Sequence, residues 1–408
     1  MSTNNLRHRL DQFHGAILGE RSVAEPVSAP DSYLRMADAL GGGIVSGAAG
    51  SFCLAKTFYT PTYRHGDLTL DETLSVESLP ASAFTWRDEP DSIRPESLLM
   101  IDTETTGLGG AGAVAFLVGC ASVVDNGLQV RQYLIPDYSD EAAMLEVLLT
   151  EFGNERTVVS YNGAAFDLPL LRDRMIINRV ARRLPFQRHL DLLHPVRRLF
   201  RRRLGDCRLV NIERELFGFF REDDIPGYLI PSVYFDWLAR QNPKPLAAVM
   251  EHNRLDIVSL WFLTVYLVQT FQTEGRLLNS ADDLYSLSRI YNRRRDNRRV
   301  IDLYQRIDAL TPGSPPDDML LFHAQVFKRA GHWDQAATLW GKLSGASSRE
   351  GFRANVELAK YYEHRVKDID RAFHYTRRAD NITPPSRRQQ QLLIKRLQRL
   401  KSKLDRCR

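Results

Sequence analysis

Two carboxylates stand at the end of an apolar run near residue 100. Asp102 and Glu104 follow the segment Leu98–Ile101 and are two positions apart. Side chains of a strand alternate between its faces, so both carboxylates point the same way. Like charges that close raise each other's pKa unless a cation lies between them, and hard oxygen ligands suit Mg²⁺ or Mn²⁺. The pair predicts a divalent-metal site, with two solvated acids in a turn as the alternative.

A third acid, Asp167, stands between a β-branched run and a helix-like segment. Val158–Tyr161, the pair Asn162 and Gly163, and then Pro169 predict a strand, a glycine turn and a helix with proline in its first turn. An aspartate at this hinge is typical of a helix N-cap. Its partnership with the other acids favours a ligand role instead.

A histidine and an aspartate lie four residues apart in a segment with strong helical periodicity. His252 and Asp256 therefore share one helix face. Such a pair is ordinarily a structural hydrogen bond. An imidazole one turn from a metal-binding carboxylate could also activate a water molecule, and both interpretations stay open.

The elements that must position these residues follow from the pattern along the chain. Residues 1–95 indicate a short helical start and a β-rich lead-in, and residues 96–275 indicate a meander of strands after Leu98, a glycine-rich turn (Gly107, Gly109, Gly110, Gly112), and then strands that feed helices. This order predicts an α/β mixed sheet with flanking helices. Residues 280–408 are predicted to form an all-α domain with a basic tail.

A weak repeat with a 36-residue offset occupies residues 284–379. Leu303–Tyr304 aligns with Leu339–Trp340, and Asp334 and Ala336 align with the acid and alanine 36 positions later. This spacing predicts paired helices of a tetratricopeptide-like repeat, which could recruit a protein partner. A plain helical bundle with chance periodicity is the alternative.

Composition bounds the class of protein. A chain of 408 residues with 43% hydrophobic and 26% charged residues is typical of a globular protein of two or three units. The four cysteines lie far apart, which favours neither a disulfide framework nor a zinc ribbon. The polar N-terminus and the lack of an apolar run of about 18 residues argue against secretion and membrane insertion, so a cytoplasmic location is expected.

Basic residues are concentrated in two stretches, although the net charge is only +5. Ten arginines lie between Arg179 and Arg208 against two acids, and nine basic residues lie between Arg387 and Arg408 against one. Both stretches could meet nucleic-acid phosphates. A solvated helix face is the alternative for each.

The three acidic segments resemble the three exonuclease motifs of the DEDD family, the DnaQ-like branch of the ribonuclease H-like superfamily. Asp102–Leu108 resembles the first motif, Tyr161–Asp167 the second, and Asp256 belongs to the third. More narrowly, the segments Asp191–His194, Glu222–Gly227 and His252–Asp256 are similar to the YprB-like group, in which this fold precedes a tetratricopeptide region. One departure is that the family has Tyr four residues or His five residues before the third-motif Asp, whereas this chain has His four residues before it.

The resemblance implies a ribonuclease H-like fold and 3′→5′ exonuclease action on DNA or RNA with two Mg²⁺ or Mn²⁺ ions. Asp102 would bridge both ions, Glu104, Asp167 and Asp256 would complete the ligand set, and His252 would act on the attacking water. Candidates for substrate binding are Thr105, Phe116, Tyr161 and Asn162, with a place in the hydrophobic core as the alternative for the aromatic residues.

Two other classes of protein share some of these features. Asp102, Glu104 and Thr106 superficially resemble the motif of haloacid dehalogenase-type phosphatases, but that motif needs Asp at the second acidic place and a downstream Lys that is not identifiable. The alternative that remains is a nucleic-acid-binding protein with weak or no turnover, whose repeat domain recruits partners.

Overall fold

The computed structural model describes residues 29–87, 90–107, 112–311, 314–384 and 386–407. The expected helical start within residues 1–28 and the part of the glycine-rich turn at residues 108–111 lie outside these ranges. The chain divides into two compact units. The first comprises residues up to 79, 92–194 and 208–265, and the second comprises 80–91, 195–207 and 266–408.

A seven-stranded mixed sheet forms the centre of the first unit, as the sequence predicted. Its strands are β1 (Gly42–Gly47), β2 (Gly50–Tyr59), β3 (Leu98–Thr105), β4 (Ala115–Val124), β5 (Gly127–Leu134), β6 (Gly153–Ser160) and β7 (Phe186–Asp191). They lie in the order β1-β2-β5-β4-β3-β6-β7. In this order, each neighbouring pair from β1 as far as β3 is antiparallel, namely β1 with β2, β2 with β5, β5 with β4, and β4 with β3. Strand β6 pairs in parallel with both β3 and β7. The hairpin of β1 and β2 thus belongs to the same sheet as the strands after residue 95, which the predicted boundary had separated from it.

Strand β4 is buried over its first eight residues, because both faces of this central strand are covered. The helices that include residues of the first unit are α1 (Asp31–Ala39), α2 (Leu70–Leu74), α3 (Glu141–Leu148), α4 (Asp167–Ile177), α5 (Leu193–Leu204), α6 (Leu209–Phe217), α7 (Ile230–Arg240) and α8 (Leu246–Gln272). Shorter elements are strands Arg64–His65, Leu68–Thr69, Leu79–Pro80 and Ser92–Ile93, and 3-10 turns Ala81–Ala83, Pro95–Ser97, Tyr138–Asp140, Leu149–Glu151 and Gly227–Leu229.

Helix α8 contains a longer apolar stretch than the sequence analysis predicted. By length and composition it is the one helix among the described residues that could cross a membrane, so the expectation that no apolar run reaches this length was wrong. However, 72% of its apolar window is buried inside the protein. A core helix of a soluble protein has this property because its apolar surface is already covered.

From residue 266 onward the regular structure of the described residues is helical, as predicted. The helices are α9 (Ala281–Arg293), α10 (Asn297–Leu310), α11 (Asp317–Arg329), α12 (Trp333–Leu343), α13 (Arg349–Tyr361), α14 (Ile369–Asp380) and α15 (Arg387–Cys407), with a π turn at Tyr362–Val366. Helices α9 and α11, and likewise α10, α12 and α14, begin 36 residues apart, which is the offset found in the sequence.

Candidate active site

The first two acids lie where β3 passes from a fully buried segment to a half-buried one. Leu98–Ile101 are buried, and Asp102 and Glu104 follow on the same face. In the antiparallel ladder Asp102 lies opposite Gly119 and Glu104 opposite Leu117, both on β4. The carboxylates therefore stand on rigid strands in the middle of the sheet.

Helix α8 packs directly on β4 beside these acids. A Cβ atom at Gly119 would overlap the Ile257 side chain and the Asn253 amide, so only glycine permits this approach. Asn253 is fully buried and donates from Nδ2 to Oδ2 of Asp102 over 2.9 Å. Gln132 on β5 donates to Oδ1 of Asn253 over 2.9 Å and so fixes the amide orientation. The contact holds the Asp102 carboxylate against the helix that carries the third motif.

Asp167 is the first residue of α4 and is buried. Its Oδ1 accepts a hydrogen bond of 2.5 Å from the Thr103 hydroxyl on β3. The N-cap of α4 is Phe166, so the alternative that Asp167 serves as the N-cap does not hold. Gly163 makes the preceding turn compact, since a Cβ there would lie 2.9 Å from Oδ2 of Asp167. The second motif is thereby brought to the first.

His252 and Asp256 lie one turn apart at the same site. The imidazole Nε2 of His252 is 3.9 Å from Oε1 of Glu104 and 3.8 Å from Oδ2 of Asp256. Its Nδ1 lies 2.7 Å from Oδ1 of Asp224. Although His252 occupies the spacing that the exonuclease motif gives to tyrosine, its ring faces the acids.

The electrostatics show that these carboxylates act on one another. Burial, followed by the charges of Asp256 and Asp167, raises the pKa of Asp102 well above its usual range. Burial and the charges of Asp102, Asp256 and Asp167 do the same to the pKa of Glu104. Burial also raises the pKa of Asp167, against the opposing effect of the Thr103 hydroxyl. Four acids from three distant segments therefore share one region of excess negative charge.

A divalent cation fits this donor set chemically. Carboxylate oxygens are the preferred ligands of Mg²⁺ and Mn²⁺, and a cation offsets the repulsion that raises the pKa values. As the side chains lie, no group of three or more His, Cys, Asp or Glu residues in the described part of the chain has the arrangement of a metal site. One oxygen of each of three acids is held by a protein donor: Asp102 by Asn253, Asp167 by Thr103 and Asp256 by Arg221.

The residues proposed for substrate binding meet different outcomes. Phe116 is fully buried and stacks on Tyr234 with ring centroids 4.1 Å apart, so its expected place in a groove was wrong. The physical reason is that β4 is covered on both faces. Thr105 donates its hydroxyl to the Gly107 carbonyl over 2.7 Å. Tyr161 and Asn162 are half-buried at the turn after β6, where their role stays a prediction.

Part of the basic stretches is used within the protein rather than presented to a ligand. In the second unit Arg202 pairs with Asp282 over 2.5 Å and with Asp318 over 2.7 Å. Arg203 pairs with the buried Asp283 over 2.7 Å. In the last helix Arg396, Arg399 and Lys403 all bind the buried Glu363, over 2.7, 2.8 and 2.9 Å. These residues stabilise helix packing.

Four residues of the site were not assigned a role from sequence: Thr103, Arg221, Asp224 and Asn253. Thr103 and Asn253 stand directly beside motif residues, and their proximity was the only signal. Arg221 and Asp224 belong to or adjoin the segment Glu222–Gly227, whose resemblance was noted without a function. Arg221 bonds to Asp256, 35 positions away, and Asp224 bonds to His252, 28 positions away. Contacts between residues this far apart leave no pattern in the local sequence.

Comparison with known proteins agrees with the fold. Residues 99–268 match a model of the RNase H superfamily, and this segment includes all three acidic motifs. The chain belongs to the ribonuclease H superfamily, which points to a nuclease, a hydrolase that acts on nucleic acids. It is similar to the protein described as uncharacterized protein YprB of Bacillus subtilis (strain 168), with 30% identity over 359 residues that cover 86% of each chain.

Proposed function

We propose that this protein is a DEDD-type, divalent-metal-dependent nuclease that hydrolyses phosphodiester bonds, with 3′→5′ exonuclease polarity. The observation that supports the proposal is that the charges of Asp256 and Asp167 act on Asp102 and Glu104, while the His252 imidazole faces Glu104 and Asp256. Burial and the charges of neighbouring acids raise the pKa values of Asp102 and Glu104, and burial raises the pKa of Asp167. Such perturbed carboxylates in one site are typical of catalytic centres.

Asp102, Glu104, Asp167 and Asp256 would be the ligands of two Mg²⁺ or Mn²⁺ ions. Bound ions of this kind supply a nucleophilic water and neutralise charge on the phosphate. His252 would accept a proton at Nε2, the ring nitrogen that faces Glu104 and Asp256. Asn253 would keep the Asp102 carboxylate oriented through its 2.9 Å hydrogen bond. Thr105, Tyr161 and Asn162 remain candidates for contacts with the substrate.

The helical region after residue 280 would be a tetratricopeptide-like solenoid that binds a protein partner. The support is the 36-residue recurrence of helix starts together with buried positions that recur at the same offset, Leu303 and Leu339. This region would recruit or locate the nuclease and would take no part in hydrolysis.

A panel of end-labelled single- and double-stranded DNA and RNA oligonucleotides tests the nuclease proposal. We expect cleavage with Mg²⁺ or Mn²⁺, none with EDTA, and a product ladder that shortens from the 3′ end. A ladder from the 5′ end or internal cuts would contradict the polarity. Nucleic-acid binding without cleavage under every condition would favour the alternative, a binding protein that has lost turnover.

Variants separate the site from the rest of the fold. Asp102→Asn and Asp256→Asn should each abolish cleavage with the fold intact, and His252→Ala should slow it by roughly 10²–10⁴-fold. Glu155→Gln removes an exposed carboxylate of β6 and should cleave like the wild type. A fully active Asp102→Asn protein would refute the assignment.

A further inference from the structure

The loop between α6 and α7 carries two charged residues that reach α8. Arg221 is almost wholly buried, with a side chain only 1% exposed, and donates to both carboxylate oxygens of Glu213 over 2.7 and 2.6 Å. The same guanidinium donates to Oδ1 of Asp256. Three residues further on, Asp224 meets Nδ1 of His252 at 2.7 Å. One short loop thus contacts both ionisable side chains that α8 contributes to the site, His252 and Asp256.

Arg221 restricts Asp256 to one carboxylate orientation. A buried guanidinium needs partners on several N–H groups, and its planar fork dictates where they lie. Glu213 takes two of these donors and Asp256 takes another, while Nη1 lies 3.3 Å from Oδ2 of Asp224. Oδ2 of Asp256, at 3.8 Å from Nε2 of His252, therefore remains for the site.

Glu213, the carboxylate that binds Arg221, is itself held by buried hydrogen-bond partners. Glu213 is fully buried and accepts a hydrogen bond from the Ser259 hydroxyl. Ser259 is in turn 2.8 Å from Nε2 of the buried His65, whose Nδ1 is 3.2 Å from the Tyr63 hydroxyl. A buried polar network in which each member has a partner is rigid, because leaving any group unpaired is costly. Arg221 is consequently held in place independently of any ligand.

Asp224 sets the proton position on His252. An ionised carboxylate only accepts hydrogen bonds, so the neutral imidazole must donate from Nδ1 to Asp224. The other ring nitrogen, Nε2, then carries the lone pair, and it points toward Glu104 and Asp256. A base in the proposed reaction needs this tautomer.

We propose that the loop Phe219–Asp224 is the positioning element of the site, in which Arg221 fixes the Asp256 carboxylate and Asp224 fixes His252 as the Nδ1–H tautomer. The use of this arrangement in catalysis rests on the proposed nuclease function. The side-chain states themselves do not, and they can be measured without any substrate.

Nitrogen NMR of the full chain labelled with ¹⁵N-histidine tests the Asp224 contact. The His252 signals are assigned by their loss in His252→Gln, and spectra are recorded in EDTA at a mildly alkaline pH. We expect the wild type to carry the proton on Nδ1 and Asp224→Ala to shift the tautomer ratio toward Nε2–H by on the order of tenfold. The exposed loop neighbour offers a matched control, Glu222→Ala, which should leave the ratio unchanged. A wild-type proton on Nε2, or an unchanged ratio in Asp224→Ala, would overturn the proposal.

Calorimetric titration with Mn²⁺ tests the Arg221 contact. Arg221→Lys keeps the charge but loses the fork, and it should weaken Mn²⁺ binding by about 10–100-fold, as is usual for residues that orient metal ligands. Arg254→Lys makes the same change on α8, where the arginine pairs with Glu251, and should bind like the wild type. If Arg221→Lys does not fold, Arg221→Met with Glu213→Leu removes both buried charges together and should show the same loss. Wild-type Mn²⁺ affinity in the folded Arg221 variant would contradict the proposal.

The two proposals fail in distinguishable ways. A wild-type protein that cleaves nothing, but shows the expected tautomer and Mn²⁺ results, would refute the nuclease function and leave the positioning role intact. Normal cleavage by the wild type with no effect of Asp224→Ala or Arg221→Lys on the tautomer or on Mn²⁺ affinity would refute only the positioning role.

Discussion

Gly119→Ala tests the close packing of α8 on β4 that brings the third motif to the first. The added Cβ would overlap Cδ1 of Ile257 and Oδ1 of Asn253, and it would lie 3.0 Å from Cγ of Asn253. Both neighbours are fully buried, so neither can move into solvent. Overpacking of this kind costs about 1–3 kcal/mol. Displacement of Asn253 also weakens its hydrogen bond to Asp102, which adds about 1.5–3 kcal/mol if the bond is lost.

Urea unfolding and the nuclease assay measure the two consequences separately. We expect Gly119→Ala to be destabilised by about 1–3 kcal/mol, or by about 2.5–6 kcal/mol if the hydrogen bond is lost, and to cleave more slowly than the wild type. Ile257→Val removes the methyl group that lies nearest to the added Cβ. The double variant Gly119→Ala with Ile257→Val should therefore be more stable, by more than about 0.5 kcal/mol, than the sum of the two single changes predicts.

Gly43→Ala is the matched control, because Gly43 also lies in a strand but a Cβ there would meet nothing within 4 Å. Its stability should change by less than about 1 kcal/mol. If Gly119→Ala and Gly43→Ala were equally stable and equally active, the packing argument would be refuted.

Three further predictions concern charge. Burial lowers the pKa of His65 to about 3, so below about pH 6.5 the unfolded chain binds a proton that the folded protein does not. The free energy of unfolding should therefore fall toward pH 3 by up to about 1.4 kcal/mol per pH unit. Urea unfolding of His65→Gln should show a shallower decline with pH, and parallel declines in the variant and the wild type would contradict this. Because the pKa of Glu104 is raised, its ionised form destabilises the metal-free fold. In EDTA at neutral pH, Glu104→Gln should therefore have a higher free energy of unfolding than the wild type. This difference should narrow as the pH falls toward the ordinary glutamate pKa and vanish below it. Equal stability of the two proteins at all pH values would contradict this prediction. Glu363→Gln removes the common partner of three cations on α15 and should lower the free energy of unfolding by about 1–3 kcal/mol. The loss should appear as faster amide hydrogen exchange in α15. Unchanged exchange would show that these ion pairs do not hold the helix.

The sequence was informative where a local pattern carried the structure. The apolar run before Asp102, the glycine turn before Asp167 and the helical spacing of His252 and Asp256 each predicted the correct element, and a resemblance joined them into one fold. The mixed sheet and the helical region after residue 266 were anticipated for the same reason.

Long-range packing was not predictable from those patterns. The hairpin of β1 and β2 joins the sheet through pairing of β2 with β5, between residues 69 to 81 positions apart. The composition of the hairpin gives no indication of that partner strand. The expected place of Phe116 in a substrate groove was wrong for a related reason. The sequence around an aromatic residue on a strand does not indicate whether one face of the sheet or both faces are covered. Arg221 was missed because a buried guanidinium is identified only by its partners.

The most direct test of the central claim is calorimetric titration of Mn²⁺ into the wild type and into three single variants, one for each acidic segment: Asp102→Asn, Asp167→Asn and Asp256→Asn. If acids of the three segments share the same ions, the wild type should bind two Mn²⁺ and each variant should lose affinity or one of the ions. Wild-type binding by any one of the folded variants, or no Mn²⁺ binding by the wild type, would contradict the shared metal site.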